Sequence, residues 1–408
     1  MKILHTSDWH LGRMLYSQKR YEEFEAFLLW FNGFIEQQMI DVLLVAGDIF
    51  DTTTPSNKAQ EMYYQFLSRT MQSCCRHVVV VGGNHDSPTL LNAPKDLLRA
   101  LNVHIVGEMT ENIEDEVITL RDKAGKAEVI VCAVPFLRDR DVRQVEAAES
   151  IDDKVTKLNT GIAQHYQKIG QLAEMLKKEV ANIPIVGMGH LFTTGGTVTE
   201  GDGTRDLYVG TALKVEKNIF PACFDYLALG HLHIAQTVGS ENSMRYSGSP
   251  IPMGFNEANQ QKKLIVIEFD ERGKTITEHL IPTFQPLVQV KGNIEKITAR
   301  ISDLKATKSN AWLEVECTEM DLAGSLNEMV NEATKDTDLK VLRLKNKQIE
   351  NRILSRTDEA EELGDLEPTD VFERLLDAQG VANENRDALW ACYREILAEL
   401  ENNDVNAN

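Results

Sequence analysis

The first hundred residues alternate between two hydrophobic rhythms. Short runs with almost every position apolar, KILHT (2–6), DVLLVAGD (41–48) and HVVVVGG (77–83), read as buried strands. Between them, YEEFEAFLLWFNGFIEQQ repeats apolar residues at helical spacing, at Phe24, Phe27, Leu28, Phe31, Phe34 and Ile35, and NKAQEMYYQFLSRTMQ is helical too. Strand–helix–strand–helix–strand predicts parallel strands with right-handed crossovers. After residue 103 the rhythm changes. EVITL and EVIVCAV flank the turn DKAGK, and a long polar helical stretch spans roughly 152–181. IPIVGMGH and FDYLALGHLH then read as strands, with more at 244–247, 264–269 and 276–281.

Pro282 and Pro286 bracket a boundary, which sets a first domain at 1–282. Within 283–348, QVKGN, a helix near 294–305, AWLEVEC, a helix near 322–334 and LKVLRLK predict a small α+β unit. The last segment, 349–408, reads as a helical hairpin, with Pro368 near a helix start and Gly380 near its end. It carries two apolar stripes: Val371, Phe372, Leu375 and Leu376, then Leu389, Cys392, Ile396, Leu397 and Leu400. Helices this short need a surface to bury against, either their own body or a partner.

Composition narrows the class. The chain has 408 residues with 42% hydrophobic content, enough for two or three domains with real cores. No run of 18 apolar residues suggests a membrane span, and the N-terminus enters a strand without a signal-peptide core. Six scattered cysteines without a CxxC pair suit reduced thiols and a cytoplasmic protein. The net charge of −20 argues against a free-standing nucleic-acid binder. Half of it sits in residues 351–408, where five Arg, no Lys and fifteen Asp or Glu give 5 − 15 = −10.

The chemistry is collected at the strand ends: Ser7-Asp8-Trp9-His10, Gly47-Asp48-Ile49-Phe50-Asp51, Gly83-Asn84-His85-Asp86, Gly189-His190 and Gly230-His231-Leu232-His233. Loops at the carboxyl ends of strands form the ligand crevice of α/β sheets. Taken singly, an Asp there is as readily a helix cap or turn residue, and HxH a packing feature. Together they hold five of the ten histidines. A mixed His, Asp and Asn set without cysteine favours manganese, iron or zinc. It has too many ligands for one tetrahedral ion and suits two ions, typically about 3.5–4 Å apart, that share a carboxylate.

DxH, GDxxD, GNHD, GH and GHxH in this order resemble the calcineurin-like metallophosphoesterase signature. MKILHTSDWHLG, VAGDIFD and RYSGSPIP are similar, within that superfamily, to the SbcD family of bacterial nuclease subunits, relatives of the meiotic recombination eleven nucleases. The resemblance implies a four-layer αββα sandwich, a small α+β capping domain and the C-terminal hairpin. It implies that Asp8, His10 and His233 hold one ion, that Asn84, His190 and His231 hold another, and that Asp48 bridges them. His85 would then face the scissile phosphate as an acid or charge stabiliser, Asp86 would orient it, and Asp51 would support His10, although both aspartates also suit turn or helix-start positions. Manganese is the implied metal.

The implied activity is exonucleolytic and endonucleolytic cleavage of DNA in repair, replication and recombination. The implied partners are DNA and an SbcC-like coiled-coil ATPase docked on the C-terminal helices, with a homodimer inside a heterotetramer and no membrane. Arg13, Lys19 and Arg20 could meet DNA phosphates or simply be solvated. Two other readings stand beside this one. A small-molecule phosphodiesterase or phosphatase leaves the last 120 or so residues without a purpose. A metal-free scaffold sits poorly with a motif set in which every ligand position is filled.

Overall fold

The computed structural model describes residues 1–143, 150–180, 183–194, 215–318 and 323–346, with single positions between 372 and 393. They fall into two compact units, Met1–Leu287 and Val288–Asn408.

The first unit is built on two six-stranded sheets. One has the order β12-β11-β1-β2-β3-β4 and the other β5-β6-β7-β8-β10-β9. In the first sheet, β1 (Lys2–Thr6), β2 (Val42–Ala46), β3 (His77–Val81) and β4 (Val103–Val106) are parallel neighbours, while β11 (Lys263–Asp270) and β12 (Gly273–Leu280) extend it antiparallel. In the second, β6 (Ala127–Ala133), β7 (Ile185–His190), β8 (Tyr226–Gly230) and β10 (Glu241–Tyr246) run parallel. Its antiparallel edges are β5 (Val117–Arg121) and β9 (Gln236–Val238).

The parallel strands are buried on both faces, which is why they read as continuous apolar runs. Ile3, Val42, Leu44, Val79 and Val81 of one sheet meet Val129, Val131, Val186, Met188 and Ala228 of the other in a single apolar layer. The opposite face of the first sheet packs on α1 (Tyr21–Gln38) and α2 (Asn57–Met71), and that of the second on α6 (Ile151–Val180). The result is the expected αββα layering. All six apolar positions that predicted α1 are buried. Ser56 caps α2, its hydroxyl accepting from Ala59 N–H at 3.2 Å.

Periodicity did not mark β4, β9 or the short helices α3 (Pro88–Asn92), α4 (Lys95–Arg99) and α5 (Asp139–Val142). Elements of three to five residues are too short to display a period. The first unit runs past Pro282 to Leu287, and Phe284 packs edge-on against Phe27 and Trp30.

In the second unit a three-stranded sheet has the order β13 (Leu287–Gly292), β14 (Trp312–Cys317), β15 (Lys340–Asn346). Helices α7 (Ile294–Ala306) and α8 (Ala323–Thr334) pack with it around Ile297, Ile301, Leu313, Val315 and Val330. Most of the hairpin expected over 349–408 lies outside the described residues. Those that are described show Phe372 stacked on Tyr393 at 3.9 Å and edge-on to Trp390 at 5.0 Å, with Leu376 buried.

Candidate metal centre

The loops after β1 and β2 continue as a ladder beyond the sheet. Asp8 N–H donates to Gly47 O at 3.0 Å, His10 N–H to Asp48 O at 3.0 Å and Leu11 N–H to Ile49 O at 2.9 Å. Between the two candidate ligands, Trp9 is buried edge-on against Phe27, Phe31 and Phe66, and its Nε1–H donates to Thr6 Oγ1 at 3.0 Å. This anchor leaves the Asp8 and His10 side chains facing the second sheet. Asp8 accepts from His231 N–H at 2.9 Å, and His10 Nε2 stands 3.2 Å from His233 Nε2.

Backbone strain concentrates here. Asp8, His10, Asp48 and His231 have φ of 53°, 48°, 50° and 101°, in the left-handed half of the map that residues with a β-carbon seldom adopt. Two glycines permit the close approach of the loops. A β-carbon on Gly83 would overlap the Asp48 carboxylate, and one on Gly230 the Ala46 carbonyl.

The expected ligands converge. Asp8, His10 and His233 bring ligand atoms within 4.8 Å of one another, and so do Asp8, Asp48 and His190. Asp48 Oδ2 lies 3.6 Å from His10 Nε2 and 3.2 Å from His190 Nε2, between the two groups. Asn84 Oδ1 is 3.0 Å from His190 Nε2 and 3.1 Å from His231 Nδ1.

The donor set fits divalent cations. Ala46 O, which can only accept, lies 2.9 Å from His190 Nδ1, so a neutral His190 turns the lone pair of Nε2 inward. Glu257 Oε1, 3.2 Å from His233 Nδ1, does the same for His233. Asp51 Oδ1 approaches His10 Nδ1 at 3.3 Å, within ion-pair range though off the line of a good hydrogen bond. Imidazole lone pairs, two carboxylates and an amide oxygen thus crowd a buried space as acceptors, an arrangement that a cation relieves.

Without metal, the site distributes charge unevenly. Burial raises the Asp8 carboxyl to about 6, against the pull of His190 and His233. Burial also opposes charge on Asp48 and His190, but their mutual attraction and hydrogen bond prevail, holding Asp48 well below its ordinary value and raising His190 to about 9. Burial lowers His10 to about 4 and His231 to about 3, so both are neutral near pH 7.

His85 lines the same space, its ring edge-on to His10 at 4.8 Å. Its Nδ1 is 2.7 Å from Asp51 O, and its N–H donates to Asp48 Oδ1 at 2.9 Å. Two expectations need correction. Asp86 does not orient His85: its buried carboxylate accepts from the backbone N–H of Ile49 (3.2 Å), Phe50 (3.0 Å) and Gly83 (2.9 Å), clamping the loop that carries Asp48. Arg20 cannot meet DNA, because its side chain is fully buried, paired with Glu23 at 2.8 Å and lying over the Phe24 ring. Arg13 is engaged with Asp51 at 3.1 Å, which leaves Lys19 as the exposed member of the basic trio.

Ser7 and Ser247 lie inside sequence motifs but had been given no role, and no motif had pointed to Glu257 or Lys262. Ser7 Oγ–H donates to Asp8 Oδ2 at 2.5 Å and sits 2.7 Å from Ser247 Oγ. Glu257 backs His233, and Lys262 pairs with Glu257 at 2.5 Å. The one signal available was an acid inside the apolar stretch IPMGFNE.

Comparisons with known proteins agree with this geometry. Residues 1–235 match the calcineurin-like phosphoesterase family, and residues 283–380 match a family described as the type 5 capsule protein repressor C-terminal domain. The SbcD subunit of the SbcCD nuclease of Escherichia coli (strain K12) is 33% identical over 403 residues, covering 98% of each chain. Its namesake in Bacillus subtilis (strain 168) is 32% identical over 324 residues, 78% of each chain. That of Rhodobacter capsulatus is 32% identical over 302 residues, 71% of each chain. With the strand-end side chains brought together and likeness along most of its length, this chain belongs to the calcineurin-like phosphoesterases and, among them, to the SbcD family.

Proposed function

We propose that the chain is a two-ion DNA phosphodiesterase, cutting as exonuclease and endonuclease beside an SbcC-like ATPase. The observation that carries this reading is the place of Asp48 Oδ2, between His10 Nε2 and His190 Nε2. Asp8, His10 and His233 hold one ion, and Asn84, His190 and His231 hold the other. Asp48 serves both, and the family resemblance favours manganese. When bound, such a pair supplies Lewis acidity toward a phosphoryl oxygen and acidifies water to near-neutral pKa.

The chain's own groups do the rest. The carbonyl of Asp51 can only accept, so His85 Nδ1 carries a proton and Nε2 is left to face the scissile phosphate. From there the ring, when it carries a second proton on Nε2, would donate that proton to the leaving oxygen or stabilise the charge developing on it. Asp51 holds both His10 and Arg13, and Asp86 keeps the Asp48 loop closed.

The first domain is the nuclease, the α+β unit is the capping domain, and residues 349–408 dock on the ATPase. The relatives are named as subunits of a nuclease complex, and that supports an ATPase partner here. Duplex binding is shared with that partner and with a second copy of the chain, which accommodates the net charge of −20. The setting is cytoplasmic DNA repair, recombination and replication. Among the described residues no helix is long and apolar enough to cross a membrane.

Incubating the purified chain with linear and hairpin DNA in manganese, magnesium or chelator tests the reading. Manganese-dependent cleavage that chelator abolishes is expected. Hydrolysis of small phosphate esters with no cleavage of either DNA would replace it with a small-molecule phosphodiesterase.

A further inference from the structure

Glu257 is fully buried on a short turn, Phe255–Glu257, after β10. A carboxylate in such a place is costly unless it is paired and hydrogen-bonded. Here every oxygen is used. Oε1 faces His233 Nδ1 at 3.2 Å. Oε2 accepts from Lys262 Nζ at 2.5 Å, from Met253 N–H at 3.0 Å and from Ser249 Oγ–H at 3.4 Å. Lys262 is buried too, and its ammonium also donates to His233 O at 3.0 Å, Ser249 Oγ at 2.9 Å and Gln260 Oε1 at 3.1 Å. One lysine therefore grips both the carboxylate behind the His233 ring and the backbone of His233 itself.

We propose that Glu257, locked by Lys262, is a positioning residue that fixes the tautomer, orientation and basicity of His233 for the ion held with Asp8 and His10. A carboxylate can only accept, so it keeps the proton on Nδ1 and leaves Nε2 as the ligand atom. His190 in the other group is backed by a neutral acceptor, Ala46 O. The two groups thus differ in the charge behind their histidines, and loss of Glu257 acts on one ion rather than on both.

This inference rests on the two-ion reading, and its test separates the two. Manganese stoichiometry and affinity are measured by calorimetry on the full-length wild type, Glu257→Gln and Glu257→Asp, with circular dichroism as a folding check. Wild type binds two ions; a chain that binds none overturns the two-ion reading and this inference with it. In Glu257→Gln, Lys262 claims the amide oxygen and turns the amide N–H groups toward Nδ1, which favours the wrong tautomer. Affinity for one ion falls by roughly 10–100-fold while the other is kept, because removing a group behind a ligand costs about that much. Glu257→Asp keeps the charge but shortens its reach and gives a smaller loss at the same ion. It carries the test alone if the glutamine variant does not fold.

His233→Ala provides the coupling control. It loses the same ion, and adding Glu257→Gln to it lowers affinity no further. Two ions bound with wild-type affinity in a folded Glu257 variant overturn the inference and leave the two-ion reading standing. So does equal loss of both ions, or an additive loss in the double variant.

Discussion

His85 Nδ1 stands 2.7 Å from the main-chain oxygen of Asp51, a hydrogen bond made across 34 residues of chain. A backbone carbonyl holds the ring without competing for a proton. His85→Gln therefore leaves ion content intact while turnover falls roughly 10²–10⁴-fold, the contribution of a positioned acid or base. Elemental analysis beside a nuclease assay checks this. A fall in bound metal would make His85 a ligand instead.

Asp48→Ala removes the carboxylate whose Oδ2 lies between His10 Nε2 and His190 Nε2. Both ions are expected to weaken together and cleavage to vanish. Calorimetric titration with manganese decides, and retention of either ion at wild-type affinity speaks against a shared carboxylate.

Binding of metal should release protons. In the metal-free protein, burial opposes the charge on His190 but Asp48 raises it to about 9, so the ring is protonated at neutral pH and must lose that proton to become a ligand. Affinity then tightens as pH rises from about 7 to 9. It collapses below about 6, where Asp8 is protonated too. The stability of the metal-free chain moves the opposite way. The charged pair contributes fully below the ordinary histidine value of 6.5, and its contribution is lost as pH rises through about 9. Titrations in two buffers of different ionisation heat, and melting curves with chelator, measure both.

Trp9→Ala deletes an anchor between two ligands. A buried Trp→Ala change costs about 3–5 kcal/mol, and here it should also loosen Asp8 and His10 and lower ion affinity. Phe31→Ala, in the same cluster but on α1 and outside the ladder, should destabilise with a smaller effect on affinity. Thermal melts paired with manganese titration separate the two outcomes.

Deleting residues 350–408 should leave a folded chain that still cleaves simple DNA with manganese. It should no longer co-purify with the ATPase or respond to ATP. Pull-down and nuclease assays with and without ATP test this. Full binding by the truncated chain would mean that this last segment packs on its own body and not on the ATPase.

The parallel strand–helix–strand order of the first sheet and the strand-end position of five motifs were legible in the sequence because both rest on local pattern, whereas the four-layer αββα order followed only from the family resemblance. Strands buried on both faces must be apolar throughout, helices on a sheet must repeat at 3.6 residues, and ligands must follow strands to reach a common crevice. KILHT, DVLLVAGD and HVVVVGG carried that information unaided. The partners of each ligand were decided only by tertiary structure. Asp86 follows His85 directly, yet its carboxylate turns to the backbone of Ile49, Phe50 and Gly83, whose three N–H groups require an acceptor. Arg20 looked available to a phosphate and is buried at the start of α1, paired with Glu23. Glu257 lies 24 residues from His233 and reaches it from the turn Phe255–Glu257, where Ser249 and Lys262 hold its carboxylate. Spacing along a chain sets which residue types can stand at a strand end. Which donor faces which acceptor depends on how separate loops fold over one another, and no local period encodes that.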